Sequence, residues 1–283
     1  MNHDEALLHI INNQINSHQE LYNLITQQKN NHQEYDLTHQ LGDIRELLIK
    51  NNLKNCDQYD LETDFPVAIQ SNDHIYPRGT KFDNTRHPRF VRACENAFPN
   101  QKLSVLDLGC AGGGIVYDFI HRGHNALGLE GSDYSKINQR AEWRVIPDHL
   151  KTCDITKPFK IFNKKNIAQY DVVCMWEVLE HIHEADQEVL FNNIAMHIKA
   201  EGFFIGSIAL HDDIADGISF HPTLHSPEWW SDRFEQLGFR FLPSSFMTFG
   251  DNCRGVGNGI WDSNFKTNPE MGFHFIAQKI SFT

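Results

Sequence analysis

The sequence predicts an α/β fold: a mostly parallel sheet with helices on both faces, preceded by a helical extension. Three observations predict it. Beyond Pro99, short apolar runs alternate with helix-length amphipathic segments. The first of those runs ends in a carboxylate and a glycine-rich turn that opens a helix, as SVLDLGC, AGGG and IVYDFIHRG follow one another. The first fifty or so residues follow a different rule, with one glycine (Gly42), no proline, and apolar side chains at helical spacing.

In chain order, Leu7, Leu8, Ile11 and Ile15, then Leu21, Leu24 and Ile25, then Leu41, Ile44, Leu47 and Leu48 predict two amphipathic helices, loosened around Lys29–Asp36. Their apolar stripe has two candidate partners, a second subunit in a homodimer or the chain's own domain. Residues 1–60 are therefore assigned to a helical N-terminal extension, an oligomerisation element on the first alternative, and 61–283 to the main domain. From Leu61 to Pro99 five prolines and glycines punctuate an irregular stretch that ends in the helix RHPRFVRACENAF. NALGLE and YDVVCMW are then strands, EADQEVLFNNIAMHI a helix, and GFFIGSIAL a strand. PEWWSDRFEQLG is a helix with Ser226 as N-cap and Pro227 at its first position, and FRFLPSSFMTF and FHFIAQKI are the last strands.

Composition narrows the partners. The net charge is −12 and no run of Lys or Arg exceeds two residues, which argues against nucleic acid, whose phosphates call for clustered cations. Six scattered cysteines without a CxxC pair suit a reducing compartment. The N-terminus lacks the basic and apolar regions of a signal peptide, and no apolar stretch approaches the ~18 residues of a membrane span. The expectation is a cytoplasmic protein with no membrane partner.

The chemistry concentrates where strands end. In Val105–Gly114, VLDLGCAGGG, the glycines allow close backbone approach to a ligand and expose amides at a helix N-terminus. The spacing is not the G-x-G-x-x-G of dinucleotide sites, because Ala111 follows Gly109 two positions on. Asp107 at the strand end suits a cationic ligand better than a pyrophosphate. Glu130 closes the next strand 23 residues later, near the spacing of an acid that accepts from ribose hydroxyls, with Gly131 and Ser132 in the loop below.

VLDLGCAGGG resembles the first motif, D-x-G-x-G-x-G, of the class I S-adenosylmethionine-dependent methyltransferases, with Ala111 in place of the middle glycine. Tyr170–Ile182, YDVVCMWEVLEHI, is similar to that family's fourth strand and its E-V-x-E-H-I segment, a form frequent among small-molecule methyltransferases. The resemblance implies a Rossmann-like sheet of seven strands whose last strand, FHFIAQKI, is antiparallel. It implies S-adenosylmethionine as methyl donor and S-adenosylhomocysteine as product. It assigns the cofactor to Asp107, Gly109, Cys110, Ala111, Gly112, Glu130, Gly131, Ser132, Trp176 and Glu177. It further implies that Asp154 meets the adenine amino group while Ile155 packs on the ring; a turn-forming Asp before Pro158 is the other reading.

Acceptor-side residues follow from the reaction. Displacement at a sulfonium carbon needs an aligned nucleophile and, for a hydroxyl, removal of its proton. His181, four residues beyond Glu177, is the candidate base, since a neutral imidazole with pKa near ~6.5 suits the role at neutral pH; a structural His is the alternative. The loop from His211 to Trp230 is expected to shape the substrate pocket through His211, His221 and His225. With Asp212 and Asp213 these could bind a divalent metal, but no helical ligand spacing supports one, and none is predicted. Arg86 and His87 are candidates for a cofactor carboxylate or an anionic substrate. The expected activity is methylation of a small polar acceptor, most plausibly a hydroxyl of a sugar, sugar nucleotide or natural product. The alternative is a non-catalytic methyltransferase-like module that binds cofactor or a partner. A nicotinamide oxidoreductase is disfavoured by the turn spacing.

Overall fold

A computed structural model describes residues 49–243, 265 and 268–280. The expected N-terminal helices and their pairing into a dimer lie outside the described residues, as does the FRFLPSSFMTF segment beyond residue 243. The chain divides into compact units at Met1–Lys54 and Asn55–Thr283, and the second carries the candidate site.

That unit opens with β1 (Tyr59–Thr63), α1 (Asn72–Ile75), α2 (Arg78–Phe82) and α3 (Pro88–Ala97). Next come β2 (Ser104–Leu108), α4 (Gly114–His121), β3 (Asn125–Glu130), α5 (Tyr134–Ile137) and β4 (Leu150–Thr152). The middle holds β5 (Phe159–Asn163), β6 (Asn166–Ile167), β7 (Tyr170–Trp176), α6 (Gln187–His197) and β8 (Ile198–Ala209). The hairpin β9 (Ile214–Ala215) and β10 (Ile218–Ser219), α7 (Pro227–Gln236), β11 (Phe239–Phe241) and β12 (Gly272–Lys279) complete it.

The main sheet has seven strands in the order β11-β12-β8-β7-β2-β3-β4. β8, β7, β2, β3 and β4 run parallel to one another, and β12 is antiparallel to both β8 and β11. The expected sheet, its last strand reversed, is thus observed. β3 and β7 are buried at every position, which is why both read as almost unbroken apolar runs. On one face the rings of Phe191, Phe204, Phe234 and Phe275 interlock, with Phe191–Phe234 at 4.9 Å and 90° and Phe204–Phe275 at 5.0 Å and 75°. Edge-to-face pairs of this kind add about 0.5–1.5 kcal/mol each beyond area burial. Ser226 caps α7 as its sequence predicts, accepting from the Trp229 amide with Pro227 in the first turn.

A second, three-stranded antiparallel sheet, β1-β5-β6, was not expected. β1 spans the position at residue 60 where the sequence reading divides extension from domain. His197 ties this sheet to the end of α6: its Nδ1 lies 2.9 Å from the Ala168 carbonyl, its Nε2 accepts from the Ile161 amide, and its ring stacks on Phe159. Burial lowers its pKa, so it serves as a neutral bridge. Among the described residues no helix is long and apolar enough to cross a membrane.

β2 pairs with β3 on one side and β7 on the other, so the strand order reverses there. In open α/β sheets the crevice outside the carboxyl ends at such a reversal is where ligands bind.

Candidate functional site

At the end of β2 the chain turns through Gly109 at φ 79° and Ala111 at φ 45°. The amides of Gly109 and Cys110 both donate to the Leu129 carbonyl, at 2.8 and 3.1 Å, and the Ala111 amide donates to Glu130 Oε2 at 2.7 Å. These three amides, which precede the helix, are therefore spent on β3. The glycines serve close approach instead. A Cβ on Gly114 would lie 2.3 Å from the Thr85 carbonyl oxygen, and one on Gly112 would lie 2.4 Å from Asn84 Oδ1. Residues 84–86 thus lie directly on the turn.

Two buried carboxylates flank it. Glu130, 6% exposed, accepts from Ala111, from the Ser132 amide at 3.1 Å and from the Thr80 hydroxyl at 3.2 Å. Burial raises its pKa and these bonds oppose the rise. Asp107, 2% exposed, takes one weak bond from Cys174 Sγ at 3.3 Å, and its Oδ2 has no partner. Burial pushes its pKa up to about 7, with Asp83 and Glu130 adding to the effect. Asn84 Oδ1 and Arg140 Nη1, both within reach of Gly112, are likewise buried without a partner. Orphaned polar atoms around a glycine cradle are the mark of a ligand site, because each costs about 1–3 kcal/mol while unsatisfied. The residues fit a ligand bearing both a cation and a polar nucleoside. Gly131 and Ser132 follow Glu130 as expected, and the Gly131 carbonyl accepts from Ala68.

Other expected cofactor residues divide. Ile155 is buried, and Asp154 Oδ1 already accepts from the Thr156 amide and hydroxyl, so this acid builds the turn that formed its alternative reading. Trp176 stacks on His87 at 5.1 Å and meets Phe90 edge-on, which makes it a wall of the core at the end of β7. Glu177 follows with φ 52°, its amide bonded to the Ser207 carbonyl. Arg86 does not reach out to an anion: its guanidinium pairs with Asp118 and Glu142 and lies 4.4 Å over the Tyr117 ring. His87 is fully buried, and its amide donates to Asp118 Oδ2 at 2.6 Å. Both are corrected to anchors that fix residues 84–87 over the turn.

On the far side of the crevice, one turn of 3-10 helix, Leu179–His181, follows Glu177. It brings Glu180, His181 and His221 together, with one ligand atom of each within 4.8 Å of the others. The His181 and His221 rings are 4.6 Å apart. Glu180 is fully buried; its Oε1 accepts from the Ala209 amide at 2.9 Å and its Oε2 has no partner. Burial raises its pKa to about 7, against the pull of His181. His181 Nδ1 lies 3.0 Å from Asp73 Oδ2. Burial alone would lower its pKa, but Asp73, Glu180 and Glu177 raise it to about 9. The neutral imidazole of the sequence reading is thus replaced by one held in an acidic setting. His221 Nδ1 lies 2.6 Å from the His211 carbonyl, and burial lowers its pKa. His211 itself turns its Nδ1 to the Met271 carbonyl. His225 stands apart from the cluster, 2.7 Å from Glu184 and stacked on Trp229.

A cavity of about 340 Å³ is lined by Tyr76, Phe82, Tyr134 and Phe220 together with the charged Arg78, Lys81 and Asp216. Phe220 precedes His221, and Tyr134 opens α5, the short helix that follows Glu130. α1 and α2 are strapped across it by Asn72 to the Ser219 carbonyl and Arg78 to Asp213. Sequence reasoning missed Asp73 and Thr80, which reach the site from the one-turn helices α1 and α2, and Asn84 and Arg140, which reach it from irregular stretches. Glu180 carried a signal, as the second acid of E-V-x-E-H-I.

A family model described as "Methyltransferase domain" matches residues 82–248, more than half of the chain. The ubiquinone biosynthesis O-methyltransferase of Rickettsia typhi is 31% identical over 110 residues, covering 37% of this chain and 40% of that protein. Its counterpart in Rhizobium etli is 26% identical over 129 residues, covering 41% and 48%. The chain thus spans under half the length of these relatives. Among solved structures, an S-adenosylmethionine-dependent methyltransferase from Clostridium acetobutylicum has a TM-score of 0.47 at 13% identity, covering 74% of this chain and 97% of that one.

Proposed function

Since the chain belongs to the S-adenosylmethionine-dependent methyltransferase family, we propose that it methylates a hydroxyl of a small acceptor. The observation that carries the cofactor side is the unpaired, buried Asp107 carboxylate beside the glycine turn. An ionised carboxylate without a partner is costly in such a place, and a cationic ligand offsets that cost. S-adenosylmethionine supplies a methyl group on a sulfonium, together with an ammonium and a ribose.

On this reading Asp107 receives the cationic end, Glu130 exchanges Thr80 for ribose hydroxyls, and Arg140 and Asn84 take the remaining polar groups. Ile155 and Asp154 stand on the adenine side. Oxygen as the methylated atom is supported by the relatives, which are O-methyltransferases by name. It is supported also by the Glu180–His181–His221 cluster, since a hydroxyl must lose its proton to become an effective nucleophile. The aromatic side chains of the cavity, Tyr76, Phe82, Tyr134 and Phe220, suit an acceptor with an aromatic or aliphatic body.

The test is calorimetry with S-adenosylmethionine and S-adenosylhomocysteine, with NAD as control and Glu130→Ala alongside. Micromolar binding of the adenosyl ligands, weakened about 10- to 100-fold in the variant and absent for NAD, is expected; losing bonds to a charged group costs roughly 1.5–3 kcal/mol. No binding of either adenosyl ligand by folded protein overturns the reading. Cofactor binding without turnover on any hydroxylated acceptor would leave a non-catalytic binding module.

A further inference from the structure

We propose that Glu180, His181 and His221 form a divalent-cation site that holds and acidifies the acceptor hydroxyl. The inference rests on the methyltransferase reading and names how that site activates its acceptor.

The donor atoms are arranged for a metal in a way a plain hydrogen-bond cluster is not. His181 presents Nδ1 to Asp73 Oδ2 at 3.0 Å, and His221 presents Nδ1 to the His211 carbonyl at 2.6 Å. Each acceptor can take only an N–H, so both rings carry a hydrogen on Nδ1 and Nε2 is the atom left to coordinate; on His181 a bound cation takes the place of the second proton that its acidic neighbours favour. Metal-bound histidines are oriented in this way, by a carboxylate or a backbone carbonyl on the other nitrogen. Glu180 is held by the Ala209 amide through Oε1, while Oε2 is buried without any partner. That orphaned oxygen is an independent sign of a missing ligand, because the carboxylate is fully buried and the charge facing it, His181, gives Oε2 no hydrogen bond. All three residues present a ligand atom within 4.8 Å of one another, and Glu177 and Asp73 add negative charge around them.

Two imidazole nitrogens and one carboxylate oxygen suit borderline cations such as Zn²⁺, Mn²⁺ or Co²⁺, and three protein ligands leave positions open for an acceptor oxygen. His181 is the most accessible of the three, with 22% of its side chain exposed. The added chemistry is a single proton step. The acceptor O–H bond breaks, its electron pair stays on the oxygen beside the cation, and the proton passes to solvent. A bound divalent cation makes that loss feasible near neutral pH by lowering the pKa of a coordinated hydroxyl.

The experiment is Mn²⁺ titration of the full-length protein followed by electron paramagnetic resonance, with the visible spectrum of added Co²⁺ as a second probe. One tight site per chain is expected, weakened at least tenfold in His221→Ala and Glu180→Gln and unchanged in His225→Ala. S-adenosylmethionine binding by calorimetry should be equal in all four proteins, which certifies folding and the cofactor side. Uptake of neither ion by protein that binds S-adenosylmethionine overturns the metal site and leaves the methyltransferase reading intact. Uptake that His221→Ala and Glu180→Gln do not weaken also overturns it. Loss of S-adenosylmethionine binding in the wild-type protein sinks the underlying reading instead.

Discussion

The two walls of the crevice hold their acids by different means. On the cofactor wall, Asp107 and Glu130 sit at the ends of adjacent parallel strands, and backbone amides of the same strand-turn-helix unit satisfy Glu130 while leaving Asp107 bare. On the acceptor wall, Glu180 and His181 share one short turn, but their partners come from α1, β8 and the 211–221 loop. The first wall is local and carries uncompensated negative charge. The second is assembled across the fold and holds two imidazoles by their Nδ1 atoms. A cation belongs to each, one carried in on the methyl donor and one, as proposed above, coordinated directly.

Removing a group from each wall should separate the two. His221→Ala is expected to have the largest effect: turnover falls by about 10²-fold or more, the scale of lost proton-transfer assistance, while S-adenosylmethionine affinity stays level. A steady-state split of kcat from the calorimetric Kd checks it; a parallel loss of cofactor affinity would merge the two walls into one site. Asp107→Asn should act in the opposite sense, weakening the cofactor while stabilising the unliganded protein. The sign follows from the folded-state pKa, raised from 3.8 to about 7. As pH rises through that window the unfolded chain releases the proton first, so stability is lost between those values and stays lost above them. Glu180 adds a loss of the same sign, so the variant's melting temperature should fall less, not zero, between pH 5.5 and 8. Near pH 8 it should exceed the wild type by on the order of 2–4 °C for each kcal/mol relieved. The smallest effect belongs to Ala111→Gly. A non-glycine residue at φ 45° sits where L side chains crowd the following carbonyl. The glycine variant should gain up to about 1 kcal/mol in urea denaturation, less the added freedom of its unfolded chain.

The same contrast explains what the sequence could reveal. β2, its turn, α4 and β3 follow one another, so their apolar runs and glycine spacing announce both the element and the turn at the strand's carboxyl end. Asp107 and Glu130 were legible for that reason. The sheet's reversed last strand was legible through the family resemblance, and α7 through Ser226 and Pro227. The partnership of His181 with Asp73 spans 108 residues and carries no periodic signal. His221 was named only among loop histidines, and nothing in its spacing sets it against His181 rather than beside His225. β1 escaped because five residues, YDLET, form a strand only once Phe159–Asn163 pairs with them. Arg86 misled because a guanidinium before a helix reads as an anion receptor until Asp118, 32 residues on, is seen to claim it.

The segment that Arg86 anchors also sets a clock. Thr80 occupies Glu130, and residues 84–86 lie against Gly112 and Gly114, so on the proposed reading an incoming ribose takes the carboxylate as this strap gives way. Cofactor association should then saturate: in stopped-flow mixing the observed rate climbs with ligand concentration and levels off at the strap's own opening rate. Thr80→Val, which removes the competing hydroxyl at nearly constant volume, raises that plateau.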